Sequence, residues 1–160
     1  MPEVISDTSP LQYLHQVGLL NLLPVLYGQI TIPPAVAHEL EQGRRQGLDL
    51  PDVDTLSWMQ VKAAKEAHEI DSARGLGPGE REVLALALNA RDALAILDDA
   101  RARHYARLLR ISFTGTLGVL LRAKHNGQLA AVAPVMDQLD LLGFRLDPKT
   151  CESVLSLARE

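Results

Sequence analysis

The sequence has 160 residues, of which 47% are hydrophobic and only 4% aromatic, and its formal net charge is −4. This length fits a single domain over residues 1–160, and the hydrophobic content excludes a disordered chain. With so few aromatic side chains the core must be aliphatic. An aliphatic core favours helices on a buried parallel sheet over an antiparallel sandwich.

The chain carries no sign of a membrane or secreted protein. No apolar run reaches the roughly 18 residues of a membrane span, and residues 1–3 lack the basic and apolar regions of a signal peptide. The one cysteine, Cys151, excludes an internal disulfide and a cysteine zinc site. These features predict a soluble cytoplasmic protein with no membrane partner.

Short apolar runs alternate with helical patterns along the chain. The predicted strands cover residues 4–6, 30–32, 58–61, 93–97 and 111–113. The predicted helices cover residues 10–27 (capped by Ser9), 35–45, 63–74, 80–89, 100–109, 117–125 and 129–142, with a last helix after Asp147. The helix over 63–74 rests on propensity alone. Alternating strands and helices predict a parallel sheet covered on both faces, with right-handed crossovers.

Two predicted strands end in acidic residues. Asp7 follows the first strand, and Asp98 and Asp99 follow the fourth. Ligands of parallel α/β sheets bind beyond the carboxyl ends of the strands, and clustered carboxylates there need a shared cation. An oxygen-only ligand set favours Mg²⁺ or Mn²⁺ over zinc. The alternative is that each acid caps the helix that follows, although a cap needs only one of Asp98 and Asp99.

Three further acids are weaker candidates. Glu80 and Glu82 both lie in the first turn of a predicted helix, where the helix dipole is a sufficient reason for an acid. Glu80 begins the apolar face of that helix and is expected to point inward, with Glu82 as the competing choice. Glu39 lies near the buried side of the second helix, although a solvated surface position also explains it.

The positive charges are concentrated in one stretch. Residues 100–136 contain no acidic residue but hold Arg101, Arg103, Arg107, Arg110, Arg122 and Lys124. A local basic face for nucleic acid is therefore compatible with the negative net charge. Arg101 and Arg103 directly follow the aspartate pair and could contact phosphates, the alternative being solvated side chains on a helix surface.

Five motifs in this order resemble the PIN domain family. They are VISDTSPL at 4–11, IPPAVAHEL at 32–40, LGPGERE at 76–82, LDDARAR at 97–103 and TGTLGVLL at 114–121. The resemblance covers essentially the whole chain and is to a prokaryotic PIN-like subfamily related to toxins of the VapC type. Two features depart from the common toxin pattern: the third acid is a glutamate, and no threonine precedes the aspartate pair.

The resemblance implies a three-layer α/β/α fold with a parallel sheet of about five strands. It also implies a nuclease site of about four acids around one or two Mg²⁺ or Mn²⁺ ions. Carried onto this chain, the acids are Asp7, Glu39, Glu80 and either Asp98 or Asp99. Asp7, Glu80 and the aspartate pair would bind the metal, and Glu39 would complete the cluster.

The sequence therefore predicts a metal-dependent endoribonuclease with RNA as its substrate. Ser9 and Thr116 are expected to position a phosphate or a water, and Arg101 and Arg103 to bind the strand. A toxin role with an antitoxin partner, and a homodimer, are further expectations; the leucines of the first helix and of residues 129–142 could form a dimer face or belong to the core.

Two alternative functions follow from other interpretations of the acids. The chain could be a catalytically degenerate PIN-like module that binds nucleic acid or protein, its acids only capping helices. A phosphotransfer enzyme or receiver domain is disfavoured, because Ser9 stands where a haloacid-dehalogenase-type enzyme has aspartate and Lys124 lies within a predicted helix.

Overall fold

The computed structural model describes residues 2–160, and its centre is a five-stranded sheet. The strands are β1 (Glu3–Ser6), β2 (Ile30–Ile32), β3 (Met59–Val61), β4 (Ala93–Ile96) and β5 (Ser112–Thr114). All neighbouring pairs are parallel, in the order β3-β2-β1-β4-β5. β1 and β2 are buried almost throughout, as expected for apolar strands covered on both faces.

Helices cover both faces of the sheet. They are α1 (Thr8–Gln16), α2 (Leu22–Tyr27), α3 (Pro34–Arg45), α4 (Pro78–Asn89), α5 (Ala100–Leu108), α6 (Thr116–His125), α7 (Ala133–Leu141) and α8 (Pro148–Leu157). α4 contacts α3 and α5, while α6 contacts α2 and α8. The predicted three-layer α/β/α fold is confirmed. None of the helices within residues 2–160 combines the length and apolar character needed to cross a membrane.

The predicted helix over residues 10–27 is divided in two. α1 ends at Gln16, and Gly18 adopts a φ of 75°, a left-handed conformation that glycine tolerates without a Cβ clash. α2 begins only at Leu22. The predicted cap is also wrong, because α1 starts at Thr8 and Ser9 is already its second residue.

The predicted helix over residues 63–74 is wrong. Only a short 3₁₀ turn, His68–Ile70, forms there. Ile70 and Ala73 are the buried residues of this segment, so it has no continuous apolar stripe to pack. A short helix without such a stripe gains too little from propensity alone. The helix predicted from residue 129 likewise starts later, at Ala133.

The strand order reverses direction beside β1. From β1 the chain builds outward through β2 and β3, and then returns to the other side of β1 with β4 and β5. Ser6 pairs with Ile96, and the Asp7 N–H donates to the Ile96 carbonyl at 3.1 Å. The carboxyl ends of β1 and β4 therefore meet where such sheets open a crevice for ligands.

Candidate active site

Asp7 occupies the centre of this crevice. It follows β1 directly, and only 6% of its surface is exposed. Asp7 stands at the N-cap position of α1, yet its side chain makes no capping hydrogen bond. Helix capping therefore does not explain this buried carboxyl group.

The structure separates the two adjacent aspartates after β4. The Asp99 side chain accepts a hydrogen bond from the Ala102 N–H at 2.9 Å and caps α5. Asp98 instead accepts from the N–H and the hydroxyl of Thr116, at 2.8 and 2.7 Å, and from the Ser9 hydroxyl at 3.2 Å. Asp98 thus belongs to the crevice, and Asp99 serves the helix.

The two glutamates reach the crevice from neighbouring helices. On α3, the exposed Glu39 accepts a hydrogen bond from the Thr8 hydroxyl at 2.7 Å. On α4, Glu80 accepts a hydrogen bond from the Gly77 N–H at 2.6 Å, so one of its oxygens caps the N-terminus of the helix. Glu82, the competing candidate of the sequence, is not among the charges that act on Asp7.

Two glycines allow the acids to approach the backbone. A Cβ at Gly79 would lie 2.8 Å from Glu39 Oε1 and 3.0 Å from Asp7 Oδ1. A Cβ at Gly115 would lie 2.8 Å from Asp98 Oδ1 and 3.1 Å from the Leu97 carbonyl. Both glycines are therefore required by the space that the carboxylates occupy.

The other three acids act electrostatically on Asp7. Burial raises the pKa of the Asp7 carboxyl from 3.8 to about 7, because the ionised form loses its hydration. The charges of Glu80, Glu39 and Asp98 act in the same direction and contribute to this value. The neighbouring backbone N–H of Thr8 favours the charged carboxylate and lowers the pKa in part. Asp7, Glu39, Glu80 and Asp98 are called the carboxylate cluster below.

The chemistry of the carboxylate cluster suits a hard divalent cation. Its donors are all oxygens, which Mg²⁺ and Mn²⁺ prefer, and a cation would relieve both the repulsion and the raised pKa of Asp7. As folded, no three His, Cys, Asp or Glu side chains within residues 2–160 converge as ready ligands. Asp98 and Glu80 accept hydrogen bonds from protein donors, and a carboxylate has about four acceptor sites, so both keep lone pairs for an ion.

The predicted substrate residues lie at different places around the cluster. Ser9 and Thr116 both bind Asp98. Arg101 lies directly over Gly75, in the loop before α4. The guanidinium carbon of Arg103 lies 4.9 Å from the centroid of the Phe113 ring in β5. Contact of either arginine with phosphate stays a prediction.

Sequence reasoning missed several residues that shape the crevice. They are Thr8, Gly79 and Gly115, and Phe113 was missed as the aromatic partner of Arg103. Gly79 and Gly115 lie within two of the family motifs, and each directly precedes a candidate site residue, which was an available signal. Nothing local to Thr8 or Phe113 indicated their partners, which lie on other elements.

The comparison with protein families agrees with the fold. A family model described as a PIN domain matches residues 3–160. No curated protein matches the chain. PIN domains are generally nucleases and typically use divalent metal ions. Since the match covers nearly the whole chain, this protein belongs to the PIN domain family.

Proposed function

We propose that this PIN domain is a Mg²⁺- or Mn²⁺-dependent endoribonuclease that hydrolyses RNA phosphodiester bonds. The observation that carries the proposal is the buried Asp7 carboxyl, whose pKa is raised to about 7 by burial and by three further acids. Such an arrangement destabilises a metal-free fold, and strongly perturbed groups concentrate at functional sites. The nuclease activity general to the family supports the same conclusion.

The carboxylate cluster provides the groups that would hold the ion. Asp7, Glu80 and Asp98 would bind it, and Glu39 would complete the cluster from α3. When bound, the ion supplies charge relief on the phosphate oxygens and eases ionisation of the attacking water. Because the Asp7 carboxyl is about half protonated near pH 7, binding displaces a proton and the affinity for the ion rises with pH.

The hydroxyl groups of the crevice orient these acids. Thr116 holds both oxygens of Asp98, one through its N–H and one through its hydroxyl, and Ser9 adds a third hydrogen bond. We assign Ser9 and Thr116 as positioning residues that act through Asp98. Thr8 has the corresponding role for Glu39.

Cleavage of a structured RNA tests the proposal, with Mg²⁺, Mn²⁺ or EDTA and with single-stranded DNA as a second substrate. We expect cleavage of RNA with either ion, and none with EDTA or with Asp7→Asn. Glu80→Gln and Glu82→Gln form a matched pair in the same helix turn. Of these two glutamates only Glu80 acts on Asp7, so of the two variants only Glu80→Gln should lose activity.

Three results would contradict the proposal in whole or in part. Binding of RNA without cleavage under every metal condition would favour the catalytically degenerate binding module. Cleavage that persists in EDTA or in Asp7→Asn would come from a contaminating nuclease. Preferential cleavage of the DNA would retain the metal-dependent nuclease and overturn its RNA specificity.

We also propose that the nuclease is the toxin of a toxin–antitoxin pair and forms a homodimer. Leu11 and Leu14 of the first helix are buried in the core and cannot supply a dimer face, whereas Leu141 and Leu157 are exposed. Light scattering of the purified chain tests the dimer, and a monomer mass contradicts it. Growth arrest on expression, relieved by the product of a neighbouring gene, tests the toxin role, and unimpaired growth contradicts it.

A further inference from the structure

Two arginines of α5 share one aromatic ring at the edge of the sheet. The guanidinium carbons of Arg103 and Arg107 lie 4.9 and 5.1 Å from the centroid of the Phe113 ring. The two arginines are four residues apart, so they project from the same face of the helix on successive turns. Phe113 belongs to β5, the edge strand, and therefore anchors both side chains along that edge.

Within residues 2–160 no carboxylate lies at ion-pair distance from either arginine of this pair, although the charge of Asp98 acts on Arg103. The Arg103 Nε is buried and makes no hydrogen bond, although buried N–H groups are normally satisfied. Burial lowers the pKa of the Arg103 guanidinium, and the positive charge of Arg107 also lowers it, because both oppose the charged form. Phosphate groups beside the two guanidinium groups would relieve this repulsion and accept charge-assisted hydrogen bonds from them.

Arg103 places this pair beside the carboxylate cluster. A Cβ at Gly115 would lie 2.8 Å from Asp98 Oδ1 and 3.9 Å from the Arg103 guanidinium carbon. The charge of Asp98 favours ionised Arg103, yet its oxygens are already engaged by Thr116 and Ser9. The Arg103 guanidinium therefore remains available, and Arg107 lies about one helical turn, ~5.4 Å, further along α5.

We propose that Arg103, Phe113 and Arg107 form a phosphate-binding ledge for the RNA backbone on the β5 side of the cluster. Arg103 contacts the phosphate nearest the cleavage site, and Arg107 contacts the next one along the strand. The inference rests on the proposed ribonuclease function and adds the path of the substrate.

The physical properties of the ledge favour phosphate as its ligand. A guanidinium group binds phosphate through paired N–H donors, and an aromatic ring beneath it restricts its rotamers before binding. The same ring is covered by the arginines and is not free to stack on a base. Arg101, which lies over Gly75, is not part of this ledge.

Binding of a short fluorescein-labelled oligouridylate tests the ledge, measured by anisotropy over a range of salt concentrations. All variants are made in the Asp7→Asn protein, which separates binding from cleavage. Arg103→Ala and Arg107→Ala should each weaken binding about tenfold, as expected for one lost charge-assisted hydrogen bond. Each should also reduce the slope of log K against log salt by about 0.7, the value for one phosphate contact on a single strand.

The chain offers a matched control and a second type of variant. Arg122 also lies over an aromatic ring, 5.1 Å from the Tyr27 centroid, but on α6 and six residues beyond Thr116. Arg122→Ala should leave both affinity and salt slope unchanged. Phe113→Leu keeps both charges and should weaken binding while leaving most of the salt slope.

The outcomes distinguish the ledge from the proposed function. If the wild type cleaves RNA but Arg103→Ala and Arg107→Ala bind RNA normally, the ledge is overturned and the proposed nuclease function stands. The remaining ligand for the two arginines would then be an acidic protein. If no metal supports cleavage but both variants bind weakly with reduced slopes, the nuclease fails and the ledge stands. An equal effect of Arg122→Ala, or no RNA binding by the unsubstituted chain, overturns the ledge.

Discussion

Replacing Asp7 by asparagine should stabilise the metal-free protein at neutral and alkaline pH. The pKa of Asp7 is 3.8 in an unfolded chain and about 7 in the fold, chiefly because of burial. The folded state therefore binds a proton that the unfolded state releases, so stability is complete below about pH 4 and falls as the pH rises through about 7. The difference corresponds to about 4 kcal/mol above pH 7. An imperfectly bonded buried amide costs about 1–3 kcal/mol, which leaves Asp7→Asn about 1–3 kcal/mol more stable.

Urea unfolding in EDTA at a series of pH values between 4 and 8 measures this effect. The free energy of unfolding of the wild type should fall across the range, whereas that of Asp7→Asn should change much less. Addition of Mg²⁺ or Mn²⁺ at pH 8 should restore stability to the wild type only. Asp99→Asn is the matched control, since it makes the same change at an exposed capping position and should keep the wild-type pH dependence.

One pattern of results would refute the reasoning. If Asp7→Asn is less stable than the wild type at pH 8 in EDTA, the Asp7 carboxylate is stabilised in the fold by an interaction outweighing its burial and repulsion. A wild-type stability that does not decline from pH 5 to pH 8 would lead to the same conclusion.

Three further substitutions test individual contacts. Gly79→Ala should lower RNA cleavage by about 100-fold, because the added Cβ displaces the carboxylates. Thermal stability should be maintained, because alanine is favoured over glycine in helices. Unchanged kcat and KM would contradict the need for space beside Glu39. In Thr116→Val, Asp98 loses its shortest hydrogen bond, so the free energy of unfolding should fall by about 1 kcal/mol. Metal binding, measured by calorimetry, should also weaken. An unaltered metal affinity would exclude the positioning role of Thr116. Asp99→Ala should lower the free energy of unfolding by about 1 kcal/mol, because the helix cap is lost, and should retain cleavage. Loss of cleavage in a stable protein would instead show that Asp99 is a residue of the active site.

The sequence by itself determined the strands and the order of the motifs. Apolar runs such as residues 4–6 and 93–97 predict buried strands, because consecutive aliphatic side chains pack against the helices on both faces of a covered sheet. Asp7 and the aspartate pair stand out because acids directly follow such runs. Where the pattern was weak, as over residues 63–74, propensity alone predicted a helix that tertiary packing does not support.

Only the tertiary structure decided which acids meet and how they are held. Asp98 and Asp99 are indistinguishable neighbours in the sequence, but one faces Thr116, 18 residues away, and the other caps its own helix. Glu39 joins the cluster through Thr8, 31 residues distant. Neither pairing has a local pattern, because it depends on strands that are separated along the chain but adjacent in the sheet.

For the charged groups of the crevice, too, the sequence determines the residue types and the tertiary structure determines their properties. Composition places the acids and the arginines in the chain, but their pKa values depend on desolvation and on charges brought close by folding. Asp7 acquires its raised pKa because β1 is central and β4 returns beside it, so that the carboxyl ends of both strands meet under two covering layers of helices. Residue types are a property of the sequence, whereas burial and proximity arise only from the packed fold.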